Sequence, residues 1–119
     1  MNPQIIVNIV SKYFGITPDV LLGKSRVRAA SYPRQIACHL IRCHCYMSFE
    51  SIGNLFSMRD HSTIMYYVRK VRDSMRSDDK QRAKVLHEHI SSLEQTIQQY
   101  KDHDAGQEKD SQQAVACDA

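Results

Sequence analysis

No apolar run in this 119-residue chain approaches the roughly 20 residues that a bilayer crossing needs, so a helical membrane span is not expected. The amino end, Met1-Asn2-Pro3, leads straight into a helical pattern and lacks the charged, then apolar layout of a secretory signal, which points to a cytoplasmic setting. The four cysteines are poorly spread for a disulfide framework. Cys38, Cys43 and Cys45 fall within eight residues of one another and only Cys117 stands apart, whereas small secreted domains space their cysteines to close loops. The run from Cys38 to Cys45 includes His39 and His44, and His39 with Cys43 has a helical i, i+4 ligand spacing. Structural zinc sites draw on two separated pairs, however, and no second pair lies in the fold-forming part, so buried or half-buried thiols are expected and no metal. A nucleotide loop is lacking too: Gly23-Lys24-Ser25 matches its end, but Pro18 stands where its first glycine belongs. No nucleophile and base fall where periodicity would join them in a pocket. Neither an enzyme nor a cofactor is expected.

What remains is a small helical protein with an uneven charge. Hydrophobic residues make up 42% of the chain, enough for one domain with a modest core. The net charge of +3 conceals a basic half, with 11 Lys and Arg against 4 Asp and Glu up to Arg76, followed by an acidic one with 5 against 9. The basic half is the candidate nucleic-acid binder.

Periodicity predicts helices throughout. Ile5, Ile6, Ile9, Val10 and Tyr13 form a first stripe, ended by Gly15. Thr17 and Pro18 begin a short second helix as cap and first-turn proline. A basic loop, Gly23-Lys24-Ser25-Arg26-Val27-Arg28, precedes a third helix expected to start at Ser31-Tyr32-Pro33, to run to about Cys45, and to turn Ile36, Ala37, Leu40 and Ile41 inward. Ser48 caps a fourth helix through about Leu55, and a fifth begins near Asp60 with Ile64, Tyr67, Val68, Val71 and Met75 on one face.

The fourth and fifth helices, joined by Phe56-Ser57-Met58-Arg59, have the layout of a helix-turn-helix, with Gly53 where two helices approach closely. The amino end of the second helix of that motif meets the major groove. Asp60 can accept from a cytosine amino group, His61 and the Thr63 methyl can touch thymine methyls, Ser62 can bond to bases or phosphates, and Arg59 can reach a guanine edge or a phosphate. Asp60 is equally suited to capping its helix.

Four blocks in the basic half carry a resemblance: Val10-Ser11-Lys12-Tyr13-Phe14, the segment from Asp19 through Arg28, Pro33-Arg34-Gln35-Ile36-Ala37, and the segment from Ser51 through Ile64. In order and spacing the chain over about residues 5 to 76 resembles the C-terminal DNA-binding domain of the bacterial replication initiator DnaA. The resemblance implies an all-α domain that binds double-stranded DNA at DnaA-box-like sites, in regulation of replication initiation. It also implies that Arg26 enters the minor groove with Arg28 close by, that Arg34, Gln35 and Arg42 hold phosphates, and that Asp60, His61, Ser62 and Thr63 read the major groove beside Arg59. Phosphate contacts set the orientation and groove contacts carry the sequence information.

The chain departs from the family at the turn, where Ser57-Met58 replace two glycines, so a backbone tolerable with side chains and a changed docking angle are expected. Glu50 brings a negative charge where the family has a small apolar residue or proline, and Ser62 stands for threonine. The family's ATPase module is not in this sequence; a free-standing regulator or competitor at initiator sites, nucleoid-associated, is expected over a fragment. Three units follow: a DNA-binding domain over residues 1–76, a helix over 77–100 begun by Ser77-Asp78-Asp79, and a disordered tail over 101–119. In that helix Ala83, Leu86, Ile90, Leu93, Ile97 and Tyr100 repeat at the spacing of a coiled-coil seam, too short to stand alone. They are expected to pack on their own domain; the alternative is a protein-interaction adaptor or dimeric transcription regulator that uses residues 83–100 for a homodimer or protein partner.

Overall fold

The computed structural model describes residues 2–23 and 28–103, which form six helices and no strand: α1 (Pro3–Phe14), α2 (Pro18–Leu22), α3 (Arg28–His44), α4 (Phe49–Leu55), α5 (His61–Met75) and α6 (Lys80–His103). Local chemistry explains most of the boundaries. The Asn2 side chain accepts from the Gln4 amide at 2.8 Å and caps α1, whose end is Gly15 at φ 71°. Thr17 caps α2 through the Val20 amide and Ser48 caps α4 through the Ser51 amide. Asp79 caps α6 by accepting from the Arg82 amide, with Ser77 bonding the Asp79 amide just ahead.

α3 differs from expectation. It starts at Arg28, inside the stretch read as a basic loop, and Pro33 lies within it. Proline has no N–H to offer the carbonyl four residues back, at Ala29, and that residue is exposed, so solvent can take the lost bond. Two turns further on, Ile36, Ala37, Leu40 and Ile41 are fully buried. They meet Ile6, Val7 and Val10 of α1 and Ile64, Val68 and Val71 of α5 in one core cluster, which Ile52 and Phe56 extend beneath α4.

α6 closes this core. Leu86, Ile90, Leu93 and Ile97 join the same cluster, with α6 packed against α1 and α5. At about 1.5 to 3 kcal/mol for each large apolar side chain removed from water, these four residues hold the helix to its own domain. Tyr100, the last residue of the predicted seam, is exposed. Polar contacts add specificity at both ends. Lys101 Nζ donates to His44 Nδ1 at 2.8 Å, which leaves the His44 Nε2–H to donate to Glu94 Oε1 at 2.7 Å. Burial pushes the Glu94 carboxyl up, but the His44 hydrogen bond, with His44, His39 and Lys101 around it, outweighs this and holds it below its ordinary value. The Tyr13 hydroxyl meets His89 Nδ1 at 2.9 Å.

Cys38 and Cys45 are free thiols, and burial pushes Cys45 up to about 11, away from thiolate chemistry. Among the described residues no helix is long and apolar enough to cross a membrane, and no three metal-ligating side chains converge. The tail over residues 104–119 lies outside the described residues.

Candidate nucleic-acid interface

α4 and α5 form a tight helix-turn-helix. The Arg59 amide donates to the Gly53 carbonyl at 2.9 Å, and a Cβ added at Gly53 would collide with the Arg59 carbonyl oxygen. Glycine is therefore required by the closeness of the turn to α4. The turn itself is made by Ser57 at φ 64° and Met58 at φ 62°. The expectation of a backbone relaxed for side chains is overturned: both residues hold the left-handed conformation that glycine would adopt freely. Ser57 is repaid through its hydroxyl, which donates to the Leu22 carbonyl at 2.6 Å and ties the turn to α2. Met58 is 75% exposed and gains no such bond among the described residues.

This turn presents the first residues of α5 to solvent. Asp60 occupies the N-cap position, but its side chain makes no capping hydrogen bond; its carboxylate lies 3.3 Å from His61 Nδ1, and the two side chains are 68% and 58% exposed. Ser62 is exposed and Thr63 half-buried. With no side chain capping the helix among the described residues, the free amides of the first turn and the positive end of the helix dipole face outward, an arrangement suited to an anion. Its neighbours are acceptors, a hydroxyl and an imidazole, all groups that bond to base edges.

The cations are arranged differently from expectation. Arg34 is only 3% exposed: its Nε donates to the Leu21 carbonyl at 2.9 Å and a terminal nitrogen to the Val20 carbonyl at 3.0 Å. Burial, with Arg59 close by, holds the guanidinium below its ordinary value. It points inward to the end of α2, where it was expected to point outward to a phosphate. Arg42 is exposed but bent back, donating to the Met47 carbonyl at 2.7 Å with its guanidinium 4.2 Å over the Phe49 ring. Arg59 is half-buried and donates to the Phe56 carbonyl at 2.9 Å, closing the end of α4. Gln35 is half-buried beside Ser31. Arg28 opens α3, and Arg26 lies outside the described residues.

Two exposed cations were missing from the expected set. Arg69 and Lys70 stand on the solvent side of α5, seven and eight residues after Ser62. That spacing, two helical turns, is the signal that places them in line with the amino-terminal residues.

Residues 3–71, from α1 nearly to the end of α5, match the family model described as Bacterial dnaA protein helix-turn-helix. The chain belongs to this DnaA family. It is 38% identical over 94 residues to the chromosomal replication initiator protein DnaA 2 of Protochlamydia amoebophila (strain UWE25), covering 79% of this chain and 21% of the relative. It is 40% identical over 78 residues to the DnaA of Corynebacterium jeikeium (strain K411), covering 66% and 13%. A third relative, the DnaA of Chloroflexus aurantiacus (strain ATCC 29366 / DSM 635 / J-10-fl), is 36% identical over 86 residues, covering 72% and 18%. The chain thus spans about a fifth or less of the length of these DnaA proteins. Every element described so far except α6 falls wholly or largely within the DnaA family match.

Proposed function

We propose that this chain binds double-stranded DNA sequence-specifically, at DnaA-box-like sites, and thereby regulates replication initiation. The observation that carries the proposal is the uncapped amino end of α5, where Asp60, His61 and Ser62 are exposed at the tip of a helix-turn-helix of the DnaA family. In this mode α5 enters the major groove. Asp60, His61, Ser62 and Thr63 read base edges or anchor beside them, and the free amides of the first turn hold a phosphate. The basic segment with Arg26 and Arg28 reaches the minor groove, whose narrow form in A·T-rich sequence attracts arginine. Arg34 and Arg59 act behind the surface: Arg34 fixes the end of α2, from which the basic segment departs, and Arg59 fixes the end of α4. Gln35 and Arg42 flank the surface as phosphate contacts, Arg42 after releasing the Met47 carbonyl.

Residues 1–76 serve as the recognition unit, and α6, which starts at Lys80 and runs to His103, past the expected end at residue 100, serves as the helix that braces it. The chain is a binding module without catalysis or nucleotide, nucleoid-associated in the cytoplasm. Burial of Leu86, Ile90, Leu93 and Ile97 against α1 and α5 weighs against a dimer or adaptor seam built from the same residues.

Selection of bound sequences from a random duplex pool with the full chain tests the proposal. One enriched motif is expected, with affinity falling steeply as salt rises. Recovery of no motif would sink it.

A further inference from the structure

The outer face of α5 continues past its first turn. At about 100° per residue, Ser62, Tyr66, Arg69 and Asp73 share the side opposite the buried Ile64, Val68 and Val71. Tyr66 is 56% exposed, the most exposed tyrosine among the described residues. Its aromatic neighbour is Tyr67, with ring centroids 6.2 Å apart, and the Lys70 ammonium lies 5.7 Å from its ring centre. Among the described residues its hydroxyl has no hydrogen-bond partner. The ring therefore presents an apolar face with a polar tip, steadied by one cation and adjacent to a second, Arg69.

Tyr66 lies one helical turn, about 6 Å, beyond Ser62 along the helix axis. A helix that places Ser62 against base edges carries Tyr66 to the edge of the same groove, because both project from one side. The major groove offers a ring of this kind one apolar feature, the thymine methyl. Resting on the assignment of α5 to the major groove, we propose that Tyr66 is a further specificity-determining residue. Its ring packs on the methyl of a thymine at the edge of the site, while Lys70 and Arg69 neutralise the flanking phosphates.

Base-pair selection with the wild-type chain, Tyr66→Ala and Tyr66→Phe tests this directly. Because Tyr66 is exposed and outside the core, both variants are expected to fold. Wild type and Tyr66→Phe are expected to share one motif that includes a T·A pair at one edge; Tyr66→Ala keeps the centre of that motif and loses the edge preference. On the selected duplex Tyr66→Ala lowers affinity about five- to tenfold, with no change on random duplex. Replacing the edge thymine by deoxyuridine, which removes only the methyl, costs wild type the same factor and Tyr66→Ala nothing. Identical motifs for wild type and Tyr66→Ala overturn the inference and leave the ring available to a protein partner, as does an equal loss on random DNA. If the wild-type chain itself enriches no motif, the groove assignment beneath the inference fails instead.

Discussion

Arg34 Nε lies 2.9 Å from the Leu21 carbonyl oxygen, joining the second turn of α3 to the end of α2 through a guanidinium that is almost wholly buried. Removing that side chain leaves the Leu21 and Val20 carbonyls without their donor and opens a gap beside the core. Arg34→Ala is expected to lower unfolding free energy by about 3 kcal/mol, the scale of charge-assisted bonds lost from a buried site. Arg34→Lys should rescue little, since one ammonium lacks the planar fork that serves two carbonyls. Urea unfolding measures both. An Arg34→Ala protein as stable as wild type but weak on every duplex would restore the direct phosphate role.

The left-handed turn gives a pair of opposed expectations. Holding a non-glycine residue in this region costs about 1 to 2 kcal/mol. Met58 has no compensating bond among the described residues, so Met58→Gly should raise stability by about 1 kcal/mol after the added entropy of the unfolded chain is set against it. Ser57→Gly relieves the same strain but loses the 2.6 Å hydrogen bond to Leu22, worth about 1 kcal/mol, and should be close to neutral. Gly53→Ala should cost about 3 kcal/mol, because the collision is with backbone that cannot rotate away. Thermal melts of the three variants rank them; equal stabilisation by both turn substitutions would show that the Ser57 hydroxyl contributes nothing.

The boundaries of α1, α2 and α4 were legible because caps and stops act locally: Thr17 and Pro18, Ser48 and Gly15 do their work within a turn of their own position. The direction of a long cation was harder to read. Ala30, Arg34, Ala37 and Ile41 share one buried face of α3, so helical register alone places Arg34 inward; the phosphate role came only from the family resemblance, and the two carbonyls that satisfy the side chain come from another element thirteen and fourteen residues away. The turn was misread for a related reason. Ser57 looks incompatible with positive φ until its hydroxyl finds Leu22, and that partner is created only by the packed fold.

His39 predicts a loss of stability in acid. It is 8% exposed; its Nδ1 has no hydrogen-bond partner among the described residues, and its Nε2 lies 3.7 Å from Cys43 Sγ. Burial first, aided by Arg72 from α5 and His44 on α3 and opposed by Glu94 from α6, pulls its pKa from 6.5 to about 4. The unfolded chain therefore binds more protons than the native one between those values, and stability is retained above pH 6.5 and lost as pH falls toward 4. A shift of that size corresponds to about 3 kcal/mol. Glu94, held low beside His44, adds its own loss below its ordinary carboxylate range. Urea unfolding of wild type and His39→Gln across this range checks the sign: the variant should lose most of the slope between pH 6.5 and 4, and an unchanged slope would remove His39 from the account.

His61 and Ser62 carry the readout prediction, because both project from the open end of α5 and neither belongs to the core. His61→Ala or Ser62→Ala should leave the melting temperature nearly unchanged, as surface substitutions away from packing and caps do. Each should cost about 1 to 3 kcal/mol of binding at the preferred duplex and far less on random DNA, since a base-edge contact discriminates and a phosphate contact does not. Lys70→Ala supplies the contrast, weakening all duplexes alike and lowering the salt slope by about one. Competition titrations at two salt concentrations separate the two behaviours. Equal losses on specific and random DNA for His61→Ala would place that imidazole on the backbone, and readout would then fall to Asp60, Ser62 and Thr63 alone.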